Sequence, residues 1–267
     1  MNEFMSLESA LEQMGKRALS AQAATKKLLS QVVATKKAAQ VGDLGALRRL
    51  VDDIGKISDG VQLEIESLAG GWPLDSVAEQ ALFEDGSYVR ELLQEAEGQG
   101  LAILEEDEQL LCYPSLIRLD PARRTILIDR KPYRHVRPRV LVNHLKAQQE
   151  RQTKFKPGPF LESLFSAWDY ARKTTARGKT PPSDVSIDQI YAVFTVMPGS
   201  AREYSKQEFA RDLYLLEESG ERITKKGATL HFSRSTGARQ ARGAATVVDR
   251  QGRRIVYSSI SFAETGS

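Results

Sequence analysis

The feature that most constrains this fold is a helix start signal in the second half of the chain. Ser205 is followed three residues later by Glu208, the spacing of a capping box, in which each side chain bonds the other residue's backbone N–H. Three apolar residues then follow at helical spacing: Phe209, Leu213 and Leu216. Gly220 supplies the stop signal. The sequence therefore predicts an amphipathic helix over residues 205–218.

The segments around this helix predict a helix–turn–helix pattern followed by a β-hairpin. Residues 188–196 read as a compact helix, and residues 197–200 (MPGS) break it because Pro and Gly end helices. Two β-rich runs follow at residues 223–232 and 245–262, joined by a basic loop. This is the order of a winged helix, and it puts residues 205–218 in the position of the recognition helix.

The first 70 residues predict two long helices. Apolar residues at heptad-like spacing run through residues 4–40 and again through 43–68, and Gly42-Asp43 interrupts them. A short turn between two long helices makes an antiparallel hairpin. Such a hairpin buries little apolar surface by itself, so two interpretations stay open: packing within the chain, and docking of a partner or a second copy.

The predicted fold class is α+β, mainly α, with an N-terminal antiparallel helical hairpin followed by two winged-helix-like domains. The predicted parts are the hairpin at 1–70, the first winged-helix-like domain at 71–130, a basic connector at 131–156, and the second winged-helix domain with a long basic wing at 157–267. The first domain rests on two short helices followed by a small antiparallel sheet. In the order of its modules the chain resembles tandem winged-helix proteins of bacteria, a group that includes plasmid replication initiators and partners of SMC-type ATPases. No functional residue is carried over from that resemblance.

Charge is divided unevenly along the chain. Residues 1–129 carry 13 lysines and arginines against 22 aspartates and glutamates, whereas residues 130–267 carry 25 against 13. An asymmetry of this kind is typical of chains in which one half contacts nucleic acid. Attraction between the two halves, or between subunits, is the alternative interpretation.

Three groups of residues in the basic half predict an interface with duplex DNA. The first surrounds the start of the predicted recognition helix, at Arg202, Lys206, Gln207 and Arg211. The second lies on the predicted wing and just before it, at Lys225, Lys226, Arg234, Arg239 and Arg242. The third lies at the connector, at Arg134, Arg137 and Arg139. Because acidic residues occupy the later part of the recognition helix, the sequence predicts contact mainly with backbone phosphates and weak sequence specificity.

No pattern in the sequence predicts an enzyme, a cofactor or a metal site. The three histidines, His135, His144 and His231, have no further ligand at metal-binding spacing. The single cysteine, Cys112, lies in an apolar strand with no basic neighbour, which is typical of an inert core thiol. Without a long apolar run or a secretory leader, the chain is expected to be cytoplasmic, with no membrane partner.

The sequence thus predicts a non-catalytic DNA-binding or scaffold subunit of a bacterial multiprotein complex that acts on DNA, in genome maintenance or in defence against foreign DNA. Duplex DNA is one expected partner, and a protein partner or a second copy is expected at the hairpin. Two alternatives stay open. One is a stand-alone winged-helix transcriptional regulator or replication initiator, and the other is a pure protein-interaction adaptor.

Overall fold

A computed structural model of the chain describes residues 6–106, 109–151, 154–176, 180–234 and 243–263. Its helices are α1 (Leu7–Val41), α2 (Leu44–Ala69), α3 (Ser76–Glu84), α4 (Ser87–Gly98), α5 (Pro138–Gln149), α6 (Pro157–Ala176), α7 (Ile187–Phe194), α8 (Ser200–Glu203) and α9 (Lys206–Ser219). Its strands are β1 (Leu104–Glu106), β2 (Gln109–Cys112), β3 (Ser115–Asp120), β4 (Thr125–Ile128), β5 (Lys131–Tyr133), β6 (Asp184–Ser186), β7 (Thr229–Arg234), β8 (Ala245–Val248) and β9 (Arg254–Ala263). The fold is α+β and mainly helical, as the sequence predicts.

The chain divides into two compact units. Unit 1 comprises Met1–Glu95, Asp120–Thr125 and His135–Val140, and unit 2 comprises Ala96–Leu119, Ile126–Arg134 and Leu141–Ser267. The hairpin therefore belongs to unit 1, and the helices and strands from α6 to β9 belong to unit 2. The boundaries of the four predicted parts and the two winged-helix assignments stay predictions.

Unit 1 contains the predicted helical hairpin. The Ser6 hydroxyl caps α1 by accepting a hydrogen bond from the backbone N–H of Ser9. Gly42 ends α1 in the left-handed region at φ 73°, a conformation that glycine adopts without a Cβ clash. Asp43 then caps α2 by accepting from the backbone N–H of Ala46. A two-residue link between helices of 35 and 26 residues requires them to run antiparallel, which confirms the predicted long helical pair.

The first turn of α1 is held by charged groups of unit 1. The Glu91 carboxylate accepts hydrogen bonds from the backbone N–H groups of Leu7 and Glu8, at 2.9 and 2.7 Å. A carboxylate at a helix N-terminus satisfies free N–H groups and complements the helix dipole.

A buried tyrosine joins α3 and α4 to a later segment of unit 1. The fully buried Tyr88 ring stacks on Phe83, and its hydroxyl donates to the carbonyl of Val136 at 2.7 Å.

A five-stranded sheet forms one layer of unit 2, with the strand order β1-β2-β3-β4-β5. The sequence predicts its first strand over residues 101–104, but the strand begins at Leu104. The reason is local, since the backbone N–H of Leu101 bonds the carbonyl of Ala96 and completes the end of α4. The sequence predicts a short extended piece bounded by Pro132 and Pro138, and the structure has a strand there, β5, which begins at Lys131. It pairs with β4, with Ile126 opposite Tyr133.

A second sheet of unit 2 has the strand order β6-β9-β7, and β8 pairs with the other half of β9. Arg234 at the end of β7 and Ala245 at the start of β8 are both paired with Tyr257 of β9. The predicted β-run at residues 245–262 is therefore two strands joined by a turn at Asp249. This buried carboxylate accepts from the backbone N–H groups of Gln251 and Arg253.

The core of unit 2 forms between α6, α7, α9 and the second sheet. Trp168 of α6 is almost fully buried, and its indole N–H donates to the carbonyl of Ser183 at 3.0 Å. Phe209 and Leu213 of α9 are completely buried in the same cluster. The predicted capping box at the start of α9 is present, and Gly220 ends the helix in the left-handed region. The sequence therefore located α9 correctly to within one residue at each end.

Candidate nucleic-acid interface

The α9 helix, predicted to read DNA, is enclosed within unit 2. Its residues from Lys206 to Glu217 are all buried or half-buried. One face carries Phe209 and Leu213 into the core. Beyond that face, the Tyr214 ring meets the edge of Tyr113, in the turn between β2 and β3, at 5.1 Å between centroids. In this arrangement α9 presents no exposed face that could enter a major groove.

The predicted DNA-contacting residues of α9 are engaged in contacts inside unit 2. The Lys206 ammonium lies 2.8 Å from an Asp188 carboxylate oxygen. The Arg211 guanidinium lies 2.9 Å from Asp129 and 3.2 Å from Asp212, and it is only 21% exposed. Gln207 is half-buried beside β2 and β8. Contact between these side chains and DNA stays a prediction, and it requires the ion pairs to open.

Glu208 links the start of α9 to the end of β4. Its carboxylate accepts two hydrogen bonds from the Arg130 guanidinium, one of them from Nε at 2.7 Å. The same carboxylate accepts from the backbone N–H of Ser205 at 2.7 Å and completes the capping box. Burial would raise the pKa of Glu208, but the hydrogen bonds from Arg130 and Ser205 outweigh it and lower this pKa below 4.5. Glu208 is therefore ionised at neutral pH and fixes Arg130 in place.

A buried tyrosine–carboxylate contact supports the turn before α9. The Tyr204 hydroxyl donates to Asp212 at 2.8 Å. Burial, together with the nearby Asp212 charge, raises the pKa of Tyr204. Burial also raises the pKa of Asp212, against the opposing effects of Arg211 and of the Tyr204 hydrogen bond. The Asp212 carboxylate thus accepts hydrogen bonds from both Tyr204 and Arg211.

The predicted wing residues divide into paired and exposed members. Arg234 forms an ion pair with Glu217 at 2.7 Å, and the Tyr257 hydroxyl donates to the same carboxylate at 2.6 Å. Lys225 is exposed, and Lys226 is also exposed, with its ammonium 6.0 Å from the centre of the Phe165 ring. Two further predicted contacts, Arg239 and Arg242, lie outside the described residues.

The three connector arginines have different surroundings. Arg134 belongs to unit 2 and is exposed. In unit 1, Arg137 pairs with Glu8 at 2.6 Å and Arg139 pairs with Glu95 at 3.3 Å. The Glu8 hydrogen bond, the largest influence on Arg137, raises the pKa of this guanidinium. Arg137 and Arg139 thus stabilise unit 1, whereas Arg134 forms no ion pair with any residue that the structure describes.

A cleft of about 400 Å³ brings separated parts of unit 2 together. It is lined by residues of the five-stranded sheet, of α8 and of the first turn of α9: Gln109, Leu116, Ile117, Arg118, Leu127, Asp129, Arg130, Ala201, Arg202, Ser205 and Glu208. Arg118 and Arg202 are exposed, and neither forms an ion pair with any residue that the structure describes.

The cleft carries positive charge because its two carboxylates are already occupied. Asp129 accepts from Arg211, and Glu208 accepts from Arg130. Arg118 and Arg202 therefore contribute charge that these carboxylates do not neutralise. Guanidinium groups with free N–H donors bind phosphate oxygens well, so the cleft is suited to an anionic ligand.

Arg118 was not among the residues predicted to bind DNA. It lies in the acidic half of the sequence, where the net charge disfavours a nucleic-acid contact. The only available signal was the alternation of β3, in which buried Ile117 is followed by exposed Arg118. Its proximity to Arg202 depends on the packing of β3 near α8, and no spacing in the sequence reveals that packing.

The described part of the chain shows neither a metal-ligand cluster nor a reactive thiol. Within it, no group of three or more His, Cys, Asp or Glu side chains is placed to hold a metal ion. Burial raises the pKa of the Cys112 thiol to about 12, which keeps it protonated and unreactive at neutral pH. Every helix among the described residues is too short or too polar to cross a lipid bilayer.

Comparison of the chain with protein-family models, with curated proteins and with solved structures found no match.

Proposed function

We propose that this chain is a non-catalytic DNA-binding or scaffold subunit of a multiprotein complex that acts on DNA, and that the part of unit 2 from α6 to β9 is a winged-helix module. In this proposal unit 2 contacts duplex DNA mainly through backbone phosphates. The order of elements in unit 2 is the observation that carries it. From α6 through β6, α7, α9 and β7 to β9, the chain follows the helix and strand order of a winged helix. The sheet order β6-β9-β7 is also the one that this module uses.

The enclosure of α9 determines how such a module would bind. Its residues 206–217 face the core and the five-stranded sheet, so base edges are not accessible to this helix. Phosphates can be reached by exposed cations elsewhere on unit 2. The candidates are Arg118, Arg134, Arg202, Lys225 and Lys226. Contacts of this kind carry little sequence information, which supports binding with weak sequence preference.

DNA binding by the cleft can be tested directly by removing its two unpaired arginines. The double substitution Arg118→Gln with Arg202→Gln removes two exposed guanidinium groups that form no ion pair within the described chain. Loss of two phosphate contacts should weaken binding to a random duplex of about 30 base pairs by roughly 10-fold or more at low salt. Fluorescence anisotropy of a labelled duplex measures this change.

A matched control removes the same charge elsewhere. The double substitution Lys27→Gln with Lys36→Gln neutralises two exposed cations of unit 1 that form no ion pair within the described chain. This variant should weaken binding to the duplex less than 3-fold, because it lowers the net charge of the protein without removing a phosphate contact. Equal weakening by both double variants would show that binding reflects overall charge, and unchanged affinity in the cleft variant would remove the cleft from the interface.

A protein-docking platform is the second candidate function. The enclosure of α9 favours it, because a winged helix whose recognition helix is covered cannot read a major groove without rearrangement. This candidate predicts no affinity for duplex DNA at low salt. A stand-alone regulator, by contrast, requires α9 to leave the five-stranded sheet, and it predicts a defined half-site spacing.

A further inference from the structure

One buried polar side chain of the cleft has no hydrogen-bond partner among the residues that the structure describes. Gln109 of β2 lines the cleft and is only 9% exposed. Its side-chain amide bonds to no described residue, yet its atoms are not fully enclosed by the protein. Buried amides are normally paired, because an unpaired one loses its hydrogen bonds to water. The donor and the acceptor of Gln109 are therefore available to a molecule in the cleft.

The strand register puts Gln109 beside one of the two exposed arginines of the cleft. Leu110 of β2 pairs with Ile117 of β3, and Gln109 and Arg118 are the next residues outward from that pair. Neighbours across an antiparallel ladder lie on the same face of the sheet, with Cβ atoms about 4.5–5.5 Å apart. A single molecule can therefore contact the Gln109 amide and the Arg118 guanidinium together.

The lining of the cleft combines three kinds of side chain. Gln109 is buried, Leu116 and Leu127 are half-buried, and Arg118 and Arg202 are exposed. Leu116 and Arg118 are two residues apart on β3, so they share a face of the sheet. The cleft thus offers a buried amide, an apolar wall and a cationic rim within about 400 Å³.

We infer that the cleft binds a single nucleotide, with its phosphate on the two arginines and its base against the two leucines. Guanidinium groups with free N–H donors bind phosphate oxygens well. The Gln109 amide presents one donor group beside one acceptor, which matches the edge of a nucleobase such as adenine. Clefts that hold ligands of this size enclose about 300–1,000 Å³, and this cleft lies within that range.

Two sources supply a nucleotide of this kind: a free mononucleotide, and an unpaired nucleotide at the end of a DNA strand. A base inside an intact duplex is stacked and paired, so its edge does not reach a buried amide. The inference deepens the proposed function, because it adds a site for a strand end to the phosphate contacts of the duplex. Its DNA form rests on that proposed function, whereas its free-nucleotide form does not.

Titration calorimetry of the full chain with AMP, in the absence of DNA, tests the nucleotide site. The wild-type protein should bind one AMP with a dissociation constant below about 1 mM. Adenosine and inorganic phosphate should each bind at least about 10-fold more weakly, because each lacks one of the two contacting groups. Absence of AMP binding at about 5 mM would overturn the inference, as would adenosine or phosphate that binds as tightly as AMP.

Gln109→Leu separates ligand binding from stability. The midpoint of thermal unfolding should not fall, because the substitution leaves no described partner of the amide unsatisfied. The same variant should weaken AMP binding about 3- to 10-fold through loss of hydrogen bonds to the base. A lowered midpoint, or an unchanged AMP affinity, would overturn the role assigned to Gln109.

The arginines of the rim are tested by the double substitution Arg118→Gln with Arg202→Gln. It should weaken AMP binding at least about 10-fold, because two charge-assisted hydrogen-bond donors are lost. Lys27→Gln with Lys36→Gln removes the same charge from exposed positions of unit 1 and should leave the AMP affinity unchanged. Equal weakening by the two double variants would overturn the assignment of the phosphate to the cleft.

A duplex with one unpaired 5′-phosphorylated nucleotide at each end distinguishes the two sources. If the cleft takes a strand end, this duplex should bind about 5- to 10-fold more tightly than a blunt duplex of the same length, and AMP should remove the difference. Equal affinity for the two duplexes would assign the cleft to the free nucleotide. AMP binding without duplex binding would contradict only the function proposed for unit 2, and duplex binding without AMP binding would contradict only the nucleotide site.

Discussion

At the residue scale, ion pairs between distant parts of the chain decide which basic side chains remain accessible. Arg211 pairs with Asp129 across 82 residues of sequence, and Arg130 pairs with Glu208 across 78. Each pair includes at least one side chain that is less than a quarter exposed, so salt screens it less than a surface pair. Pairing inside unit 2 thus restricts phosphate contact to a smaller set of cations than the sequence contains.

The substitution Glu208→Gln should destabilise the protein by about 1 kcal/mol at pH 7, because it weakens the α9 cap and the Arg130 pair. The folded-state pKa of Glu208 is lowered from 4.5, so its carboxylate contributes stability above that value. This contribution disappears as pH falls through the lower, folded-state pKa. Urea unfolding of the wild-type and variant proteins between about pH 3 and 7 measures the effect.

Glu218→Gln is the control for this prediction, since Glu218 is exposed at the other end of the same helix. It should change stability by less than about 0.5 kcal/mol at any pH. If Glu208→Gln lowered the free energy of unfolding by the same amount at about pH 3 as at pH 7, the proposed contribution of the ionised carboxylate would be contradicted.

The sequence shows which residues are basic, but it could not predict which of them would form ion pairs with acidic residues elsewhere in the chain. Arg211 was placed on an exposed helical face because helical periodicity describes only one element at a time. Its burial beside Asp129 depends on the five-stranded sheet, 82 residues earlier in the chain. Local patterns carry no information about such contacts, whereas the Ser205 and Glu208 capping box is local and was predicted correctly.

At the scale of single elements, α9 is the helix most enclosed by its surroundings. It packs into the core through Phe209 and Leu213, and it meets the five-stranded sheet through Glu208 and Tyr214. A helix held on two sides in this way acts as a structural centre for unit 2. Strand boundaries were predicted less well. The β-run predicted from residue 223 begins only at Thr229 in β7, because Thr224 and Ala228 close a turn before it.

Phe209→Ala should cost about 3–5 kcal/mol of unfolding free energy, because the ring is completely buried among other aromatic side chains. The midpoint of urea unfolding reports this loss. Ile223→Ala, at a side chain that is 69% exposed, should cost less than about 0.5 kcal/mol. Equal stability losses in the two variants would contradict the assignment of Phe209 to the core of unit 2.

At the scale of the whole molecule, the two units have different proposed roles. Unit 1 carries the hairpin, where a protein partner or a second copy is proposed to bind, and unit 2 carries the cations proposed to contact DNA. Periodicity and charge asymmetry predicted this division. The cleft depends on tertiary packing, and the alternation of β3 indicates only that Arg118 is exposed, not that it lies near Arg202.

The measurement that tests the central claim most directly is the binding of the wild-type chain to a random duplex of about 30 base pairs across a salt series. Five or six phosphate contacts predict micromolar affinity at low salt and a log–log slope of about −5 against salt concentration. Absence of binding at about 50 mM salt would contradict the account and favour a protein-docking role for unit 2.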